Sequence, residues 1–175
     1  YLTKFGIGSQ TGSNLPGESA GLLPVRSKWS GTTMPTVSFG QGYSVTAMQA
    51  TAVFATIAND GVRVPPTVVA GTSSGTGSFT PMSAASGVRV ISKENAQTLR
   101  LMLESVVSDQ GTAPSAAIKG YRIAGKTGTA MRFSDACGCY SGYTASFIGM
   151  APADKPAYVV SVAIQAPQGI HWGGY

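Results

Sequence analysis

The tetrapeptide Lys126-Thr127-Gly128-Thr129 combines residue types that could bind and activate an acyl substrate. At the end of a strand, these residues can present an ammonium, two hydroxyls and backbone N–H groups to one anion or developing oxyanion. Gly128 lets a bound chain approach the backbone closely. Lys-Thr-Gly also occurs among known catalytic signatures. The competing interpretation is a strand end with a solvated lysine.

Two other patterns could suggest a hydrolase, and both are weaker. Gly71 to Gly75 match G-x-S-x-G, but that elbow requires a strand, a turn and a helix, and no helical period follows. Residues 71–78 are therefore predicted to form a flexible loop. His171 is the only histidine in the sequence, so a Ser-His-Asp triad would have to include it. We expect a loop or strand-end histidine that lines a cleft.

No cofactor is predicted. Cys137 and Cys139 are too few ligands for a structural zinc site. A disulfide across one residue would be strained, and the free and bonded states both stay open. We expect neither cysteine to take part in catalysis. The seven carboxylates have no spacing typical of a glycosidase or metal site, and nucleotide-binding motifs are absent.

Composition indicates one globular domain rather than a nucleic-acid-binding or disordered chain. The 175 residues are 43% hydrophobic and 11% charged, with 23 glycines. The net charge of +5 comes from single, scattered basic residues, so no nucleic-acid partner is expected. Since no window of 18 apolar residues occurs, any membrane anchor is expected outside this chain.

Periodicity and stop signals then place the elements. Residues 1–43 are rich in Gly, Pro and Ser and predict irregular structure. A capping box at Thr46 and Gln49 begins a helix predicted over 46–59, apolar on nearly every side and hence interior. Residues 63–70 allow at most an edge strand because of their two prolines. A second helix is predicted to begin at Ser92, to run over 93–109 and to end by Gly111, with one apolar face: Leu99, Met102, Leu103, Val106 and Val107.

Three strand candidates follow, at 121–129, 143–150 and 157–165. Their linkers are too short for a crossover helix, so consecutive strands should pair antiparallel. The predicted fold class is α+β: an antiparallel sheet with covering helices, with the helix over 93–109 on one face.

Four segments give a more specific indication: YLTKFGIGSQTGSNLPGESAGLLP, SFGQGYSVTAMQATAVFATIANDGVRVPPTVV, AGKTGTA and SFIGMAPADKPAYVVSVAIQAP. In this order they resemble the transpeptidase domain of class B penicillin-binding proteins, in particular the septal cell-division type. The resemblance covers nearly the whole chain and is weakest at 71–87 and in the Cys-containing loop over 131–142. It implies a β-lactamase/transpeptidase-like fold.

The family's other two motifs are missing from the sequence. None of the six lysines has Ser three positions earlier, so S-x-x-K is absent, and no asparagine completes S-x-N. In the family both motifs precede the segment that matches residues 1–43, and a last helix follows the Gly-Gly-Tyr region. Residues 1–175 are therefore expected to be the C-terminal portion of one transpeptidase domain, without a second domain and inactive alone.

The resemblance implies a serine D,D-transpeptidase that cross-links peptidoglycan stem peptides ending in D-Ala-D-Ala and is inhibited by β-lactams. Lys126 would place positive charge in the cleft, and Thr127 and Thr129 would bind the carboxylate. The Thr129 N–H would be one of two oxyanion donors. An extended peptide could add to the strand over 121–129 at the cleft edge.

The same resemblance implies three kinds of partner: the N-terminal portion of the protein carrying S-x-x-K and S-x-N, the wall substrate or β-lactam, and membrane proteins of the division site. It places the chain on the extracytoplasmic face of the bacterial plasma membrane. Two alternatives stay open: a serine β-lactamase or β-lactam sensor of the same fold, and a non-catalytic divisome or wall-binding module.

Overall fold

The computed structural model describes residues 1–75, 77–83 and 85–175, which divide into two compact units. One unit comprises residues 1–56 and 62–90, and the other comprises residues 57–61 and 91–175. The helices are α1 (Thr33–Ser38), α2 (Ala47–Ala58) and α3 (Lys93–Ser105), and short 3-10 turns lie at Arg26–Lys28 and Pro114–Ala116. The strands are β1 (Val62–Arg63), β2 (Gly71–Ser73), β3 (Phe79–Pro81), β4 (Val88–Arg89), β5 (Ala124–Ser134), β6 (Cys139–Ala151) and β7 (Tyr158–Gln165).

The first unit is organised around Gln49 near the start of α2. Its side chain is 1% exposed, and its amide nitrogen donates to the carbonyls of Ser9 and Ala20, both at 2.8 Å. The predicted capping box is present: Gln49 N–H donates to Thr46 Oγ1 at 3.1 Å, and Thr46 N–H donates to Gln49 Oε1 at 2.9 Å. Because every polar group of the buried amide has a partner, its burial carries no unmet hydrogen-bond cost.

A second polar cluster orders the glycine-rich segment that precedes α2. Glu18 accepts hydrogen bonds from the backbone N–H and hydroxyl of Thr11 and from Ser13 Oγ. These bonds, those from Thr11 first, hold the pKa of Glu18 below its ordinary value. The predicted irregular region is thus tied down by side-chain hydrogen bonds, and only α1, the 3-10 turn and an isolated bridge between Leu22 and Ser44 interrupt it.

Two predictions about this unit need correction. Most of α2 is half-buried, with Ala47 and Ala55 exposed, so it is not the interior helix expected from its composition. Within the predicted loop over 71–78, β2 pairs antiparallel with β3, while residue 76 lies outside the described residues. The G-x-S-x-G stretch therefore contains the first strand of a hairpin, and the next element is β3 rather than the helix that a nucleophile elbow needs. The edge-strand prediction holds, since β1 ends before both prolines and pairs with β4.

The second unit contains an antiparallel sheet in the order β5-β6-β7, with α3 packed against β5, as predicted. The first strand was predicted over 121–129, but β5 begins three residues later and continues five residues further, over Ala124–Ser134. β5 and β6 continue through most of residues 131–142, which form a hairpin rather than a loop and contain a register shift between Met131 and Phe133. Cys137 and Cys139 are joined by a disulfide at its turn.

The buried face of α3 differs from the predicted one because a charged residue belongs to it. Ala96 and Arg100 are buried, whereas Met102 is 61% exposed. The Arg100 guanidinium donates to the carbonyl of Ile57 at 3.0 Å and to Asp60 Oδ1 at 3.0 Å. A hydrophobicity pattern assigns such a side chain to solvent, but satisfied hydrogen bonds allow its burial.

Among the described residues, no helix has the length and hydrophobicity of a membrane-spanning segment.

The Asp60 contacts predict a pH-dependent local stability. The hydrogen bond from Arg100, followed by Lys93, lowers the pKa of Asp60 in the folded state. The carboxylate therefore stabilises the fold above its unfolded-state pKa, and this stabilisation is lost as the pH falls through the lower folded-state pKa. Asp60→Asn should make amide hydrogen exchange in residues 57–61 less sensitive to a change from about pH 6 to about pH 3. Asp109→Asn, at an exposed carboxylate of the same unit, is the control, and an equal response of both variants contradicts the assignment.

Candidate active site

Strand β5 presents the Lys-Thr-Gly-Thr sequence along its first half. Its register pairs Lys126 with Ile148, Thr127 with Phe147, Gly128 with Ser146 and Thr129 with Ala145. Within the described sheet β5 has a neighbour on one side only. Since successive side chains of a strand alternate between its faces, Thr127 and Thr129 lie on the same face of the sheet.

An ion pair fixes the approach to β5. Arg122 donates from Nε to Glu104 Oε1 at 2.8 Å and from a terminal nitrogen to Oε2 at 2.6 Å, which raises the pKa of the guanidinium. The carbonyl of Arg122 also accepts from the N–H of Ala153 at 2.9 Å. A bidentate arginine–carboxylate pair restricts geometry more than a single contact does. The start of β5 is therefore held to α3 and to the segment that follows β6.

The two threonines line a cavity of about 420 Å³. Its other walls come from the loop after α3 and from residues 172–175, which we name the Gly-Gly segment. Lining residues are Gly111, Thr112, Pro114, Ser115, Thr127, Thr129, Trp172, Gly173, Gly174 and Tyr175. The volume lies within the range typical of small-molecule sites.

Hydrogen bonding prepares both hydroxyls to donate. Thr127 Oγ1 lies 3.1 Å from Lys126 Nζ, and Thr129 Oγ1 accepts from the N–H of Gly173 at 3.2 Å. An ammonium and a backbone N–H can only donate, so both hydroxyl oxygens act as acceptors in these bonds. The hydroxyl proton of Thr129 is then available to another acceptor. The proton of Thr127 is available as well when the neighbouring Thr112 hydroxyl, 3.2 Å away, donates to Thr127. A carboxylate is an acceptor that suits two such neighbouring donors.

The Gly-Gly segment reaches β5 only because two of its residues lack side chains. A Cβ on Gly173 would clash with the backbone oxygens of Gly128 and Ser146, and one on Gly174 would clash with the carbonyl of Thr112. On the strand, a Cβ on Gly128 would come within 2.5 Å of Ser146 Oγ. The glycines of the segment therefore allow its backbone to pack on the backbone of the sheet and of the loop after α3, whereas Gly128 leaves room for the Ser146 side chain on β6.

Aromatic rings extend from this contact. His171 stacks on Tyr143 with ring centroids 4.3 Å apart and lies 4.5 Å from the ring of Trp172. The predicted loop or strand-end histidine thus lies half-buried in the loop after β7, within an aromatic stack, and is not among the residues that line this cavity. Trp172 lines the cavity and is 56% exposed, so it offers an apolar surface to a bound molecule.

The structure brings the predicted site residues together and adds others. Lys126 is exposed and does not itself line the cavity, but its ammonium contacts both the hydroxyl and the carbonyl of Thr127. Sequence reasoning missed Thr112 and Trp172 as lining residues. The adjacent glycines after Trp172 were the available signal, because such a pair permits close backbone approach. Among the described residues, no group of three or more His, Cys, Asp or Glu side chains could hold a metal ion.

An antiparallel sheet with packed helices and an edge strand carrying Lys-Thr-Gly-Thr defines the β-lactamase/transpeptidase-like class of folds. Comparison identifies the family within it: the profile described as the penicillin binding protein transpeptidase domain matches residues 1–175. The chain belongs to this family, and its relatives are class B proteins of the PBP3/FtsI type.

Three relatives illustrate the similarity. The chain is 49% identical over 175 residues to penicillin-binding protein PbpB of Mycolicibacterium smegmatis, covering 95% of this chain and 27% of that protein. It is 38% identical over 173 residues to the peptidoglycan D,D-transpeptidase FtsI of Escherichia coli K12, covering 98% of this chain and 28% of the relative. The structure of PBP3 from Mycobacterium tuberculosis in complex with aztreonam superposes with a TM-score of 0.90 at 46% identity, covering 95% of this chain and 39% of that one. The chain thus spans about a quarter of the length of these curated relatives.

The glycine contact predicts a specific sensitivity. Gly173→Ala should displace the Gly-Gly segment from β5, because its Cβ meets two backbone oxygens that cannot rotate away. The hydrogen bond from the Gly173 N–H to Thr129 should be lost with it, and hydrogen exchange should increase in residues 124–134. Gly31→Ala is the matched control, since its Cβ meets nothing within 4 Å. Unchanged exchange in the Gly173 variant would show that the segment does not depend on this contact.

Proposed function

We propose that the protein containing this chain is a serine D,D-transpeptidase that cross-links peptidoglycan stem peptides during cell-wall and septum synthesis. Family membership and the relatives named D,D-transpeptidase support this proposal. The single observation that carries it is the hydrogen bonding of two hydroxyls on one face of β5. Thr127 accepts from the Lys126 ammonium, and Thr129 accepts from the backbone N–H of Gly173. This arrangement suits the terminal carboxylate of a D-Ala-D-Ala stem peptide or the carboxylate of a β-lactam.

In the proposed reaction, a serine attacks the carbonyl of the D-Ala-D-Ala amide, and D-Ala leaves as an amine after gaining a proton. The acyl-enzyme then transfers its acyl group to an amine of a neighbouring stem peptide. The nucleophile in S-x-x-K and the S-x-N motif would come from a preceding portion of the protein, because neither motif occurs in residues 1–175. This chain supplies the Lys-Thr-Gly wall of the site.

Each site residue has a distinct role in this proposal. Lys126 places positive charge near the substrate carboxylate and helps order the hydrogen bonds of the serine and lysine side chains from the other two motifs. Thr127 and Thr129 bind the carboxylate, and Gly128 permits close approach of the substrate backbone. The backbone N–H of Thr129 is one oxyanion donor and that of the serine is the other. The free edge of β5 would pair with the extended stem peptide.

The wider assignment is also a proposal. We place residues 1–175 in one transpeptidase domain, because a single family profile spans both compact units. The similarity to FtsI supports membrane proteins of the division site as partners. It also supports a location on the extracytoplasmic face of the plasma membrane, with an anchor outside this chain. The β-lactam complexes of PBP3 support acylation by these antibiotics.

Labelling by a fluorescent penicillin tests the function directly. The complete protein should be acylated, whereas the isolated chain should not, because its sequence lacks the S-x-x-K nucleophile. Lys126→Ala should slow acylation of the complete protein by about tenfold or more, since it removes a charged hydrogen-bond donor from the carboxylate site. Lys119→Ala, which removes an equal charge from another exposed position, is the control.

Three results would contradict this assignment. Labelling of the isolated chain at one of its own serines, located by mass spectrometry, would place the nucleophile elsewhere. Rapid turnover of nitrocefin would identify a β-lactamase instead. Normal labelling of the Lys126→Ala protein would favour a scaffold in which the β5 wall has no role in ligand binding.

A further inference from the structure

Thr112 lies where three parts of the second unit meet, in the loop between α3 and β5. Its hydroxyl oxygen is 3.2 Å from Thr127 Oγ1, and its carbonyl faces Gly174 at a distance that excludes a Cβ there. The next residue, Ala113, is 2% exposed, and its N–H donates to the carbonyl of Val106 at 2.9 Å. The loop therefore holds the Thr112 hydroxyl against Thr127 through backbone contacts.

The direction of the hydrogen bond between the two threonines decides what Thr127 can bind. A hydroxyl has one proton to donate and two lone pairs that accept. Lys126 Nζ already donates to Thr127 Oγ1. If Thr127 donates to Thr112, its only proton is used and it cannot donate to a ligand. If Thr112 donates instead, both lone pairs of Thr127 are occupied and its proton is free for an acceptor in the cavity.

We infer that Thr112 is a positioning residue that makes the Thr127 hydroxyl an obligatory donor to the carboxylate of the ligand. The inference rests on the proposed function, which places a carboxylate beside Thr127 and Thr129. A bound anion selects the arrangement in which Thr112 donates to Thr127 and Thr127 donates to the anion. Thr112 thus acts on the ligand through another side chain, in a short chain of hydrogen bonds that polarise one another.

The test uses the complete protein and two ligands that differ in charge, benzylpenicillin and its neutral methyl ester. Thr112→Val removes the hydroxyl and should slow acylation by benzylpenicillin by about three- to tenfold, the usual effect of one hydrogen bond. Acylation by the ester should stay within about twofold, because no carboxylate requires the Thr127 proton. Thr112→Ser retains the donor and should restore the rate with benzylpenicillin.

A double-mutant cycle separates positioning from general damage to the site. In a Thr127→Val background, the added Thr112→Val change should have no further effect on benzylpenicillin acylation, since the hydroxyl that it orients is already absent. Thr112→Ala replaces Thr112→Val if the valine variant unfolds at a lower temperature than the parent.

The outcomes are distinguishable. Three outcomes would overturn the inference and leave the proposed function in place, provided that the parent protein is acylated. They are equal slowing of Thr112→Val with both ligands, additive effects in the double-mutant cycle, and a rate of Thr112→Val equal to that of the parent. A parent that is not acylated at all would overturn the proposed function and the inference with it.

Discussion

The contact between Gly128 and Gly173 is the constraint on which the candidate site depends. It brings a loop backbone directly onto the edge strand, and no residue with a Cβ can replace Gly173 without a clash against backbone oxygens. Through this contact the Gly173 N–H reaches the Thr129 hydroxyl, and Trp172 forms part of the cavity wall. The position of one wall of the cavity is therefore set by a contact between backbone atoms.

On this framework the polar groups act as a set. The Thr127 hydroxyl lies within hydrogen-bond distance of the Lys126 ammonium and the Thr112 hydroxyl. The Thr129 hydroxyl accepts from the Gly173 N–H. Preorganised donors of this kind stabilise an anion without reorganising when it binds. The Glu104–Arg122 pair and the burial of Ala113 serve the same end, because they fix the two segments from which these groups project.

Local signals in the sequence predicted the parts of the fold that local chemistry determines. The capping box at Thr46 and Gln49, the start of a helix at Ser92 and the three antiparallel strands were all recognisable, because hydrogen bonds within a few residues or a short period specify them. The burial of Arg100 could not be predicted in this way, because it depends on Asp60, forty residues earlier in the chain. The same limit applied to Thr112 and Trp172, whose roles come from tertiary contacts with β5. Lys126, Thr127 and Thr129 could be nominated only because they form one contiguous motif.

The placement of β7 has a consequence for how the cavity forms during folding. Gly173 is separated from Thr129 by 44 residues, a span that would make closure of the contact entropically costly in an unordered chain. Once β5, β6 and β7 have paired, β7 ends at Gln165 and only residues 166–171 remain between the ordered sheet and the Gly-Gly segment. Pairing of the sheet thus converts a long loop closure into a short one. Formation of the cavity should accordingly be a late and fast step that follows the ordering of the sheet.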